Sequence, residues 1–187
     1  NLGGVWGASA TDVWTVGWAE VANAAPVILH WDGSSWTPSS APAGTAGMAL
    51  AVVAGSGSND VWAVGPFVTI HWDGSAWSTV AQAISPNSIW AIAPNDAWMV
   101  GAADTISHWD GTSWSQPTTT AVTNLNAVWG SGSTDVWAVG TSGSIYHWDG
   151  ETWTQGATAL EPDLLAVSGS GPQDVWAVGS FGPIHHM

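Results

Sequence analysis

The chain has 187 residues, 17 of them Trp, with 14 Asp and Glu, no Lys or Arg, no Cys and a formal net charge of −14. Without basic side chains nothing can displace counterions from a phosphate backbone, so nucleic acid is excluded as a partner. The same charge disfavours anionic membranes and acidic ligands, disulfides are impossible, and no apolar run approaches the ~18 residues of a membrane helix, so no membrane insertion is expected.

In chain order, the sequence repeats itself. The first unit opens with "LGGVWGAS", continues with "TDVWTVG" and closes with "LHWDGSSW". These stretches are short, rich in β-branched and aromatic residues, and bounded by Gly, Ser or Asp, which is the pattern of strands and turns. Between Gly17 and Leu29 the unit carries the eleven residues "WAEVANAAPVI", where the fourth unit has the five of "TSGSI". Insertions in a repeat map to loops on one face, often the working face, which singles out Trp18 and Glu20.

The second unit reads "GSGSNDVWAVG" then "IHWDGSAW", and the third "APNDAWMVG" then "SHWDGTSW". The fourth is the most regular. Its "LNAVWGSGS", "DVWAVG", "SIYHWDG" and "TWTQG" predict four strands, with Asp149–Gly150 as a tight turn. The fifth reads "GSGPQDVWAVG" and ends "PIHHM", with Met187 in the place of the third-strand Trp and no "DGxxW" after it. No segment holds a 3.6-residue apolar period long enough for a helix. The inner strand places Trp6, Trp90 and Trp129 in units one, three and four, and the same alignment puts Val53 and Ser168 there in units two and five.

The Asp that opens each second strand recurs at Asp12, Asp60, Asp96, Asp135 and Asp174, and the third-strand His at His30, His71, His108, His147 and His186. The His spacings are 41, 37, 39 and 39 residues. Four short antiparallel strands per ~40-residue unit make a propeller blade. The expected fold is therefore all-β: a five-bladed β-propeller occupying 1–187 as one domain, with blades at 2–40, 41–83, 84–121, 122–160 and 161–187, the last lacking its outer strand, either as a three-stranded blade or because the chain is cut from a longer repeat array. The unit resembles the WD-repeat blade in its strand ending in Trp–Asp, here "HWD" at 147–149. The "WDGxxW" ending is also similar to bacterial fucose-binding propeller lectins, and the count of five resembles the tachylectin type. These resemblances imply a propeller, and the lectin ones imply sugar binding at the rim between blades.

The repeated His and Asp read as structural. One His per blade sits too far from the next for shared coordination at ~2 Å, so each is expected to bond a polar group such as the Asp before strand two, and no metal or cofactor is expected. Asp32, Asp73, Asp110 and Asp149 precede Gly and cap turns. Catalysis has little material: Glu occurs only at Glu20, Glu151 and Glu161, outside the repeated strands, and no "GxSxG" elbow exists. Trp faces, by contrast, stack on sugars while Asp, Asn and Ser bond hydroxyls. The expected function is non-catalytic carbohydrate binding through Trp18 and the outer-strand Trp36, Trp77, Trp114 and Trp153. The alternative is a protein-interaction or structural repeat scaffold. Partners are then glycans or a protein surface, with self-association through the open last blade. Few residues are charged, and a surface of Ser, Thr, Gly, Asn and Gln suits an extracellular or cell-surface place.

Overall fold

The computed structural model describes residues 1–81, 85–102, 105–117, 123–156, 162–182 and 184–187. Glu161 and the blade limits at 83, 84, 121, 122, 160 and 161 lie outside them. The described chain forms 19 strands in five antiparallel sheets, four of them four-stranded and the last three-stranded. These sheets are the blades of a β-propeller fold.

The chain divides into two compact units, Asn1–Ser85 and Pro86–Met187. The first holds β1 (Leu2–Ser9), β2 (Asp12–Gly17), β3 (Val27–Trp31) and β4 (Trp36–Pro38), then β5 (Val52–Gly57), β6 (Asp60–Gly65), β7 (Val68–Trp72) and β8 (Trp77–Val80). The second holds β9 (Pro86–Ala93), β10 (Asp96–Gly101), β11 (Ile106–Trp109) and β12 (Trp114–Ser115), followed by β13 (Leu125–Gly132), β14 (Asp135–Gly140), β15 (Ile145–Trp148) and β16 (Trp153–Gln155). It ends with β17 (Leu164–Gly171), β18 (Asp174–Gly179) and β19 (Ile184–His186). Every sheet is a meander in sequence order.

Alternation along the second strand decides how sheets stack, because successive side chains point to opposite faces. In the first unit, Trp14, Val16 and Ile28 of the first sheet pack against Val53, Val61, Ala63 and Ile70 of the second. In the second unit, Trp98, Val100 and Ile106 pack against Val128, Val136, Ala138 and Tyr146. Trp129, Val139 and Ile145 then pack against Val167, Val175 and Ala177. A Trp-bearing face of one blade thus meets a Val/Ala face of the next, large against small.

The inner strands repeat this complementarity with glycine. A Cβ on Gly55 would lie 2.7 Å from the Trp6 ring, and one on Gly169 would lie 2.7 Å from the Trp129 ring. Only a residue without a side chain lets that ring lie so close. The register corrects one sequence reading: Ala54, not Val53, stands opposite Trp62, as Trp6 stands opposite Trp14. Val53 pairs with Ala63 and turns to the sheet-to-sheet core instead. Met187 exchanges two backbone hydrogen bonds with Val175, which puts it in the register of the third-strand Trp.

Candidate functional site: a loop pocket opposite a repeated hairpin end

An up-and-down meander has two ends. The β1–β2 and β3–β4 turns of each blade share one, the hairpin end. The β2–β3 loops and the connections to the next blade share the other, the loop end.

The hairpin end carries the repeated chemistry. His30, His71, His108 and His147 each donate from Nε2 to the Oδ1 of Asp12, Asp60, Asp96 and Asp135, at 2.8, 2.7, 2.9 and 2.7 Å. His186 and Asp174 stand at 3.4 Å. Each imidazole also lies on the second-strand Trp of its own blade, with ring centroids 4.1–4.3 Å apart, from Trp14 to Trp176. The second carboxylate oxygen of Asp60 and Asp174 accepts from Ser56 and Ser170 at 2.5 Å, and that of Asp135 accepts from Ser131. Ala8 and Ile92 take the Ser position in the other two blades. The indole N–H of Trp31, Trp72, Trp109 and Trp148 donates to the carbonyl of Ala10, Ser58, Pro94 and Ser133, fastening one hairpin turn to the other. The side chains of the motif are therefore spent on holding turns. Among the described residues, no three His, Asp or Glu gather into a set able to hold a metal ion.

The Asp–Gly turns complete that end. Oδ1 of Asp32 accepts from the backbone N–H groups of Ser34 and Ser35 and from the Ser34 hydroxyl, at 2.7–2.9 Å. Asp73 and Asp110 repeat this with Ser75 and Ala76, and with Thr112 and Ser113. Gly33, Gly74 and Gly111 follow at φ of +92° to +95°, where a side chain is strained. The hydroxyl bond first, then the two backbone bonds, lower these three carboxyls from 3.8 to about 2. Asp149 is lowered mainly by the backbone N–H groups of Thr152 and Glu151.

A pH prediction follows. The folded value lies below the unfolded one, so the contribution of these turns to stability is present above 3.8 and is lost as pH falls through about 2. Carboxyl-carbon NMR titration should place the Asp73 midpoint near 2 and Ser75→Ala should move it back toward 3.8. A wild-type midpoint near 3.8 would contradict the geometry.

The outer-strand Trp residues do not behave alike. Trp36 is 45% exposed, whereas Trp77 and Trp153 are only 7% exposed, and Trp114 is half-buried. Trp77 stands edge-on to Trp14 of the preceding blade at 5.2 Å, and Trp153 to Trp98 in the same way at 5.2 Å. Trp77 and Trp153, expected at the sugar-binding rim, are thus packed against a neighbouring blade and nearly buried, while Trp36 is the more exposed of the set. Between the first two sheets, a cavity of about 350 Å³ is lined by residues including Asp12, His30, Thr37, Ser58 and Trp72.

The loop end of the first unit holds the second feature. Trp18, Glu20 and Asn23 of the β2–β3 insertion meet Gly47, Met48 and Ala49 of the connection to β5 around a pocket of about 410 Å³. Trp18 is 37% exposed. The Glu20 Oε1 accepts from the Asn1 side-chain amide at 2.8 Å, and Gly47 N–H donates to the Ala24 carbonyl at 2.8 Å, which ties insertion to connection. The insertion's length was the sequence signal for Trp18 and Glu20. Met48 and its neighbours gave none, because they arrive by a non-local contact.

No family model matches the chain, and no curated protein matches it. Solved structures do. The WD40 β-propeller domain of Doa1 matches with a TM-score of 0.74 at 9% identity, covering 100% of this chain and 65% of that one. YCF48 bound to D1 peptide matches at 0.65 and 18% identity, covering 93% and 59%. A catalytically inactive virginiamycin B lyase from Staphylococcus aureus, solved with quinupristin, matches at 0.72 and 12% identity, covering 94% and 62%. The chain spans about three fifths of the length of such structures. At these identities the likeness establishes the propeller fold, which hosts binding proteins and enzymes alike.

Proposed function

We propose that the chain is a non-catalytic protein-binding scaffold that takes a basic segment of its partner at the loop end of the first unit. The observation that carries this reading is the Trp18–Glu20 pocket, which sits where the repeat is broken and not where it is kept. An exposed indole beside a carboxylate suits a Lys or Arg side chain, by cation–π contact and charge-assisted bonding. A net charge of −14 with no Lys or Arg gives a field that draws a basic partner and repels an acidic one. The propeller likeness to a protein solved with a bound peptide supports the class of partner.

A carbohydrate reading rests on a different place, the cavity between the first two sheets, where Trp72 stands beside Asp12, Thr37 and Ser58. Calorimetry separates the two. An Arg/Lys-rich peptide should bind, more weakly as salt rises, and an Asp/Glu-rich peptide should not. Trp18→Ala and Glu20→Gln should each weaken binding by about five-fold, the worth of one exposed cation–π or charged contact. Heat released by free sugars, with none by the basic peptide, would replace the scaffold reading by the lectin one.

A further inference from the structure

A second, more apolar pocket adjoins the Trp18–Glu20 one at the loop end of the first unit. It measures about 150 Å³, and Met48, Phe67 and Val68 are among its lining. Met48 lines both pockets, so the two meet across one side chain. The turn that carries it is already formed. Met48 N–H donates to the Thr45 carbonyl at 3.1 Å, and the buried Thr45 hydroxyl donates to the Pro42 carbonyl at 2.8 Å. A pre-formed turn costs little to order on binding, and a thioether adapts to varied apolar partners.

Phe67 is placed where a core residue would not be. It lies in the β6–β7 loop and is 83% exposed, and Val21, which lines the Trp18 pocket, is 71% exposed. Blades stack through their strand faces, and loops at one end stay outside that packing. The chain has two Phe residues, and the other, Phe181, is also exposed in a loop, between β18 and β19. Trp18, Val21, Met48 and Phe67 thus make a joined apolar patch, the kind of surface that marks a binding site. Charge is sparse beside it. In 18–26, 39–51 and 66–67 the only charged residue is Glu20. One carboxylate neutralises one cation, and the apolar pocket offers nothing to a second.

We infer, on the Trp18–Glu20 reading above, that the partner segment gives one Lys or Arg to that pocket and an apolar side chain of Leu or Met size to the Met48–Phe67 pocket. A cavity of about 150 Å³ holds a benzene-sized group. Alternate side chains of an extended peptide share a face about 6.6 Å apart, a spacing that suits adjoining pockets. No segment of the 187 residues can be this partner, because they include no Lys or Arg.

NMR titration of the labelled chain with synthetic peptides tests it. Two carry Arg–Gly–Leu and Leu–Gly–Arg in a Gly/Ser background, and their counterparts have Gly in place of Leu. The Trp18 indole and Met48 methyl signals should shift with all of them. At least one Leu peptide should bind about tenfold tighter than its Gly counterpart. Phe67→Ser, at an exposed position, should remove that difference, and Trp18→Ala should weaken binding of both kinds of peptide. Equal affinities for Leu and Gly peptides would overturn the paired motif and leave the basic pocket standing. A Leu gain that survives Phe67→Ser would overturn its assignment to this pocket. A Trp18 signal unmoved by every peptide would sink the basic-segment reading and the paired motif together.

Discussion

Trp77→Ala and Trp153→Ala should each destabilise the protein by about 3–5 kcal/mol, the usual cost of truncating a buried Trp, while Trp36→Ala should change stability by about 0.5 kcal/mol or less. The three residues share the same "DGxxW" motif, so a difference between them measures the neighbouring blade and not the motif. Truncating Trp77 opens a void against Trp14 and Trp72, whose centroids lie 5.2 and 5.8 Å away. Truncating Trp153 does the same against Trp98 and Trp148, at 5.2 and 5.9 Å. Trp36 lies beside Trp31 of its own blade at 5.8 Å and is 45% exposed. Urea unfolding of the three variants gives the comparison. Equal losses would show that Trp36 is covered as its counterparts are.

The Asp–His pairs should separate in the same manner. Asp60→Ala should cost about 3 kcal/mol, because it leaves His71 Nε2 and the Ser56 hydroxyl without their acceptor in a buried place. Asp174→Ala should leave stability within error of wild type. The Asp60 side chain is 3% exposed and the Asp174 side chain 51%, and the contact to the imidazole lengthens from 2.7 to 3.4 Å. Water replaces what the second substitution removes. If Asp174→Ala proved as costly as Asp60→Ala, the Asp174 side chain would be held as tightly as that of Asp60, contrary to its 51% exposure.

Much of this fold is legible in the sequence because each blade is built from local signals. The "DVWAVG" alternation, the Asp–Gly turns and the even spacing of His residues are contained within about 40 residues, and a meander needs nothing more distant to set its strand order. In the fourth unit the four predicted strands appear as β13 to β16. Burial of the outer-strand Trp is not local. It depends on whether another blade lies against that face, and the letters around Trp36 and Trp77 are nearly the same. The inner strand of the second blade was misaligned by one residue for a related reason: Val52, Val53 and Ala54 all suit a strand, and only pairing of Gly55 with Val61 decides which faces Trp62. The pocket at the loop end was half visible. An insertion of unusual length pointed to Trp18 and Glu20, but Met48 reaches it from a connection some 25 residues on, which no periodicity announces.

The central claim is that repeated chemistry holds the turns while recognition sits where the repeat is interrupted. An ¹⁵N–¹H spectrum of the indole N–H groups tests it directly, since each of the 17 Trp residues reports its own place. On titration with an Arg/Lys-rich peptide, the Trp18 indole signal should shift progressively and saturate, while those of Trp31, Trp72, Trp109 and Trp148, bonded to turn carbonyls, stay in place. Shifts confined to those hairpin-end indoles, with Trp18 unmoved, would contradict the account.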